Sequence, residues 1–252
     1  MRYAIDISYK GTNYAGWQIQ NNAHTVQAEL EQALTTFLRT PTQCLGAGRT
    51  DAGVHARKLT VHFDAARELN LSFIHAMNGI LPKDISVNAL YLPLKEDFNA
   101  RFDAIARGYH YRIVRRKSPF DQESSMWVRH KVDMKLMNQA AEIMKSYQDF
   151  GCFCKAHADN KTNLCDIFRA EWEEKEEMLD FYVKANRFLR GMVRAMVGTM
   201  LLVGSGKISL NQFQQIIESG DRTQAGPNAD AKGLFLTEVD YPEGILKLIA
   251  KV

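Results

Sequence analysis

Ten consecutive residues, Gly46-Ala47-Gly48-Arg49-Thr50-Asp51-Ala52-Gly53-Val54-His55, set one carboxylate in a glycine-flanked turn with a guanidinium two positions before it. Gly46, Gly48 and Gly53 allow positive φ or close approach to a ligand, and Ala47 and Ala52 leave space above the carboxylate. Arg49 is expected to keep Asp51 ionised and aimed. A carboxylate held in this way can serve as a nucleophile or a base. The same residue types also describe an ordinary strand-to-strand loop in which Asp51 only accepts backbone N–H bonds, and spacing alone leaves both readings open.

Further groups with chemical potential lie downstream. Residues 107–117 carry Arg107, Arg112, Arg115, Arg116 and Lys117 with no acid among them, interleaved with Tyr109, His110 and Tyr111. Cations beside flat rings can contact phosphates and bases, although a solvated edge strand guarded by charge has the same composition. If this segment is a strand, Tyr109 and Tyr111 share a face. Over residues 188–201 the apolar Phe188, Leu189, Met192, Val193, Met196, Val197 and Met200 form one helical stripe, and Arg187, Arg190 and Arg194 share the other side at spacings of three and four. Cys152, Cys154, His157 and Cys165 could be written as a metal set. Their spacing does not match the paired C-x-x-C knuckles of structural zinc sites, so reduced thiols are expected. Cys44, in a short strand, is expected in the core.

Regular elements must position these groups. Tyr3, Ile5 and Ile7 alternate with Ala4, Asp6 and Ser8 as in a strand. Thr25 is placed to cap a helix whose Val26, Leu30, Ala33, Leu34 and Phe37 fall on one face and which Pro41 stops. Leu59, Val61 and Phe63 alternate after the Asp51 loop, residues 72–81 read as a helix ended by Pro82, and residues 86–94 as a strand. Residues 1–104 thus follow the strand–helix–strand–strand–helix–strand order of a ferredoxin-like half. Residues 105–252 form a second α+β half, with a strand at 109–114, an amphipathic helix at 134–147 and a hairpin of 167–172 with 179–184. Helices at 188–203 and 210–218 and a strand at 233–241 complete it.

A chain of 252 residues that is 46% hydrophobic can bury a large core. No apolar run approaches the ~20 residues that span a bilayer, and the amino terminus lacks the apolar segment of a signal peptide, so a soluble, cytoplasmic protein without a membrane partner is expected. The net charge of +3 is only mildly basic. No P-loop, G-x-G-x-x-G or zinc-deaminase signature is present.

The run G-R-T-D-A-G-V-H-A at residues 48–56 resembles the signature loop of the TruA family of tRNA pseudouridine synthases. Other motifs of that family are resembled by Y-K-G-T-N-Y-A-G-W-Q at 9–18, N-A-R-F at 99–102 with R-G-Y-H-Y-R at 107–112, and F-L-R-G-M-V-R at 188–194. These segments come in the family's order and cover the chain from about Arg2 to about Tyr241. The resemblance implies two halves sharing a mostly antiparallel sheet, an active-site cleft between them, and a homodimer. It implies Asp51 as the catalytic residue, Arg194 as a second cation beside it, and Tyr109 packed against the target base. Arg107, Arg112 and Arg190 are then candidates for phosphate contact, and the acidic run of Glu171, Glu173, Glu174, Glu176, Glu177 and Asp180 is read as a hairpin facing away from RNA. Some relatives carry a histidine where this chain has Gly191. The implied reaction is isomerisation of uridine to pseudouridine at positions 38, 39 and 40 of the tRNA anticodon stem and loop. It needs no cofactor or metal and does not call for histidine, so His55 is assigned a structural hydrogen bond. Two rivals are a non-catalytic RNA-binding module and a nucleoside glycosidase; the latter would want two opposed carboxylates.

Overall fold

The computed structural model describes residues 1–155 and 161–252. They divide into two compact units, Met1–Ala106 with Phe235–Val252, and Arg107–Leu234. In the first unit, strand β1 (Arg2–Tyr9) lies antiparallel between β3 (His55–Asp64) and β4 (Ile85–Pro93). The register pairs Tyr3 with Phe63, Ile5 with Val61 and Ile7 with Leu59. Because side chains alternate along a strand, these six share one face, and all are buried. Two helices cover them. Helix α1 (Val26–Leu38) starts where the Thr25 side chain accepts from Ala28 N, and ends at Arg39 with φ 57° just before Pro41. Helix α2 (Leu71–Ile80) starts at Asn70, whose side chain accepts from Ser72 N, and ends before Pro82. The Phe73 ring stacks on Phe63 at 5.8 Å and meets Phe37 edge-on at 5.2 Å.

Strand β2 (Cys44–Gly46) pairs with the Val61–Phe63 end of β3, with Cys44 buried as expected. The β-α-β-β-α-β order and the spatial order β4-β1-β3-β2 are those of a ferredoxin-like half. Two C-terminal strands join it. Strand β9 (Leu234–Asp240) runs parallel to β3 at His55 and Ala56, and β10 (Leu246–Lys251) pairs with β4. A division at 104/105 put these strands in the second half. Strand β9 pairs with β3 and β10 with β4, and Phe235–Val252 belong to the first compact unit.

The second unit sets β8 (Met178–Ala185) antiparallel between β5 (Ala106–Val114) and β7 (Ile167–Lys175), with the short β6 (Met126–Trp127) beside β5. Tyr111, Ile113, Trp172, Leu179, Phe181 and Val183 are buried. So are Met137, Ala140, Ala141 and Met144 on the inner stripe of helix α3 (Met134–Met144). Helix α4 (Met192–Gly204) is buried almost all round, and α5 (Leu210–Ser219) carries a capping box at Ser209 and Gln212. The hairpin turns at Glu176, φ 56°. Its acidic run is largely neutralised by Arg115 with Glu174, Lys175 with Glu173, and Arg169 with Glu171. Among the described residues the class is α+β, and within the two units the strand pairs are antiparallel except β3 with β9 and β5 with β6. No helix among them is long and apolar enough to cross a membrane.

One expectation is corrected in α4. The apolar stripe predicts a helix from Phe188, but Gly191 adopts φ 74° and the helix begins at Met192. A left-handed residue cannot continue a right-handed turn. Arg187 and Arg190 therefore lie in the preceding loop, Arg194 alone of the three is helical, and the three-arginine helix face is absent.

A buried histidine gives the first unit a pH-dependent stability. The Nδ1 of His62 accepts from Ala100 N at 3.1 Å, and desolvation, with Arg2 nearby, lowers its pKa from the ordinary 6.5. The unfolded chain binds this proton more readily, so the contribution is present above pH 6.5 and is lost as pH falls through the folded value. Urea midpoints of the parent are expected to fall between pH 7.5 and pH 5, and those of His62→Gln to fall less. Equal slopes for both proteins would remove His62 as the cause.

Candidate active site

The Asp51 loop is held from beneath by the residues that follow β1. Asp51 O accepts from Val54 N at 3.1 Å to close a tight turn, and Gly53, φ 77°, donates to Tyr14 O. Thr50 is buried, with its hydroxyl 2.8 Å from Tyr9 OH and its carbonyl accepting from Trp17 N. Gly16, φ 97°, lies so close beneath the loop that a Cβ would sit 2.4 Å from Thr50 O. A Cβ on Gly11 would sit 2.0 Å from Val54 O. These two glycines let the segment after β1 press against the loop backbone, a role the sequence alone does not reveal. Of the three glycines in the loop itself only Gly53 uses positive φ; Gly46 packs against Trp17, and Gly48 faces open space. His55 is buried, accepts from Gly11 N at 3.0 Å through Nδ1, and stacks on Phe235 at 4.6 Å. That is the structural hydrogen bond expected of it.

Asp51 is half-buried and Arg49 exposed. The expected clamp between them is not formed: among the described residues no ion pair joins Arg49 to Asp51. Burying Thr50 beneath the loop leaves Arg49 on its solvent side. The turn, more than the guanidinium, fixes where Asp51 stands.

In the second unit the start of β5 meets the loop before α4. Arg107 Nη1 donates to Asn186 O at 3.1 Å, and the Tyr109 ring stands edge-on to Phe188 at 5.0 Å and 87°. Tyr109 is half-buried, whereas Tyr111, on the same strand face, is fully buried and donates to Asp230 O at 2.8 Å. Arg190 is exposed in that loop, and its carbonyl accepts from Lys155 N. Arg112 lies five residues further along β5, 3.7 Å from Asp121 and 3.5 Å from the Met178 sulfur, away from the Tyr109 end. His110, on the opposite face of β5, pairs with Asp180 at 2.7 Å and stacks on Tyr182. Neither contact has a signal in the local sequence.

Arg194 stands in the first turn of α4. Its Nε donates to Ala229 O at 2.7 Å, and Ala229 N donates back to Arg194 O. Residues 226–229 can lie this close because α4 offers them Gly198, where a Cβ would fall 1.7 Å from Pro227 O. Gly226 N also donates to the buried Thr199 hydroxyl. Gly198→Ala is therefore expected to push this segment off the helix, destabilise the protein by about 1–3 kcal/mol and loosen Arg194. Urea denaturation tests the energy, and a midpoint unchanged from the parent would show that the segment yields freely.

Cys152, Cys154 and Cys165 are buried, and desolvation pushes the thiols of Cys152 to about 12 and Cys165 to about 11. His157, the fourth member of the metal set considered above, lies outside the described residues.

Comparison with known proteins gives the family. Residues 141–242 match a family model described as tRNA pseudouridine synthase. The chain is 44% identical over 247 residues to tRNA pseudouridine synthase A of Azobacteroides pseudotrichonymphae, covering 98% of this chain and 99% of the relative. It is 46% identical over 249 residues to the protein of that name from Bacteroides fragilis, covering 98% of each. With the one from Bacteroides thetaiotaomicron the identity is 46% over 248 residues, 97% of this chain and 92% of the relative. Identity at this level over nearly the whole length of each chain shows that the chain belongs to the tRNA pseudouridine synthase family.

Proposed function

We propose that this protein isomerises uridine to pseudouridine at positions 38, 39 and 40 of tRNA, with Asp51 as the catalytic carboxylate. The single observation that carries this reading is the Asp51 loop, a half-buried carboxylate on a turn backed by a buried hydroxyl pair and two glycine contacts, in a chain of this family. The reaction breaks the N1–C1′ bond, turns the uracil and joins C5 to C1′. The C5 hydrogen leaves as a proton and N1 ends protonated, so nothing is oxidised or reduced. Asp51 can enter by attack on C1′, by attack on C6, or by taking the C2′ proton. Each route needs the target base out of its stack, at about a few kcal/mol.

Tyr109 replaces part of that lost stacking, and Arg194 supplies positive charge for the carboxylate chemistry. Arg49, on the solvent side of its loop, meets RNA instead of aiming Asp51. Arg107, Arg112 and Arg190 provide phosphate contacts, with Arg116 and Lys117 exposed beside them. The protein acts in the cytoplasm as a homodimer. Mapping pseudouridine in total tRNA from cells with and without the gene tests the reading. Loss of the base at positions 38–40 is expected, and unchanged levels at all three would overturn it.

A further inference from the structure

Phe98 and Phe102 flank one turn of the segment after β4 and are treated in opposite ways. Phe98 is fully buried, whereas Phe102 is 77% exposed and Ile105, next along, 54%. The turn itself is tightly fixed. Asn99 Oδ1 accepts from the backbone N–H groups of both Arg101 and Phe102, at 3.0 and 3.2 Å, and Asn99 N donates to Asp103 Oδ2 at 2.7 Å. Lys95 bonds Asp103 at 2.6 Å, Tyr241 OH donates to Ala100 O at 2.6 Å, and the buried His62 accepts from Ala100 N. A large apolar ring held out in water by a rigid loop marks an interaction surface more than a floppy tip.

The guanidinium of Arg101 lies 5.6 Å from the centre of the Phe102 ring. Arginine beside an exposed phenyl is what a stacked base with its phosphate calls for. Two exposed apolar side chains fall far short of the roughly 800 Å² per partner that a stable protein interface buries, so a second copy of the chain fits less well than a nucleotide.

The position decides which nucleotide. His62, which holds Ala100, is seven residues along β3 from His55, next to the Asp51 loop. At ~3.3 Å per residue His55 and His62 are roughly 23 Å apart along β3. That span exceeds a stem of a few base pairs at about 3.4 Å each. Resting on the tRNA reading above, we infer that Phe102, with Arg101, stacks on an unpaired nucleotide of the tRNA body outside the anticodon stem and loop, and thereby selects intact tRNA.

The test measures equilibrium binding of intact tRNA and of an isolated anticodon stem-loop to the full chain and to Phe102→Ala, Phe102→Leu and Phe102→Tyr. Alanine and leucine are expected to raise Kd for intact tRNA about tenfold and to change the stem-loop less than about twofold, while tyrosine restores parental affinity. Unchanged tRNA affinity, equal losses on both RNAs, or leucine as good as tyrosine would each overturn the inference. So would a shift in sedimenting mass for Phe102→Ala, which would assign the ring to a contact between copies. Pseudouridine formation by the parent, followed separately, fails only if the functional reading fails.

Discussion

Asp51→Asn protein is expected to form no measurable pseudouridine, a loss of at least about 10³-fold, while folding and binding tRNA as the parent does. Asparagine keeps the size of the side chain. The bonds that shape the turn are made by backbone groups and by neighbours: Asp51 O with Val54 N, Gly53 N with Tyr14 O, Thr50 with Tyr9 and Trp17. None of them needs a charge at Asp51. What the amide cannot do is attack C1′ or C6 as a carboxylate or take the C2′ proton. Since C5 exchanges its hydrogen for a bond to C1′, tritium release from tRNA labelled at uracil C5 reads the reaction directly. Circular dichroism and filter binding beside it separate lost chemistry from a lost fold. Substantial tritium release from Asp51→Asn protein free of deamidated material would reduce Asp51 to a turn residue and reopen the case for a non-catalytic RNA-binding module.

Much of the first unit is legible because local and long-range signals agree there. Alternation fixed β1, β3 and β4, and Thr25 with Pro41 and Pro82 bounded the helices to within a residue or two. The failures have physical causes. Strand β10 is an edge strand of mixed exposure, without the alternation that marks a buried one. The division at 104/105 failed because strand pairing is non-local, and nothing within residues 234–251 names β3 and β4 as partners. In α4 the apolar stripe from Phe188 is real, since Leu189 is buried, but burial does not make a helix when Gly191 turns left-handed. At the site, the glycines and small residues around Asp51 mark its loop as a tight turn. The role of Gly11 and Gly16 beneath its loop has no such mark, because a close approach to Val54 and Thr50, 43 and 34 positions away, leaves no local trace. The Arg49–Asp51 pair shows the reverse error: two opposite charges near in sequence need not meet when the residue between them is buried.

Tyr109 offers the second large effect, and the structure separates its ring from its hydroxyl. The ring stands edge-on to Phe188 at 5.0 Å and is half-buried, so part of its surface is already used in packing and part remains accessible. Stacking one base on an aromatic ring is worth about 1–3 kcal/mol, so Tyr109→Ala is expected to slow single-turnover reaction by roughly 5- to 150-fold. Tyr109→Phe keeps both the contact with Phe188 and the stacking surface, and should bind substrate tRNA like the parent. Any slowing it shows then measures the hydroxyl, whose chemical use would be in handling the proton at C5. Alanine also leaves Phe188 without its neighbour, so a purely structural loss must be told apart from a lost base contact. Phe188→Leu does this: it removes the same edge-to-face pair but leaves Tyr109 in place, and should lower the urea midpoint about as much as Tyr109→Ala while retaining most of the rate. If Tyr109→Ala turned over tRNA as fast as the parent, Tyr109 would be a packing residue and some other flat surface would have to receive the flipped uracil.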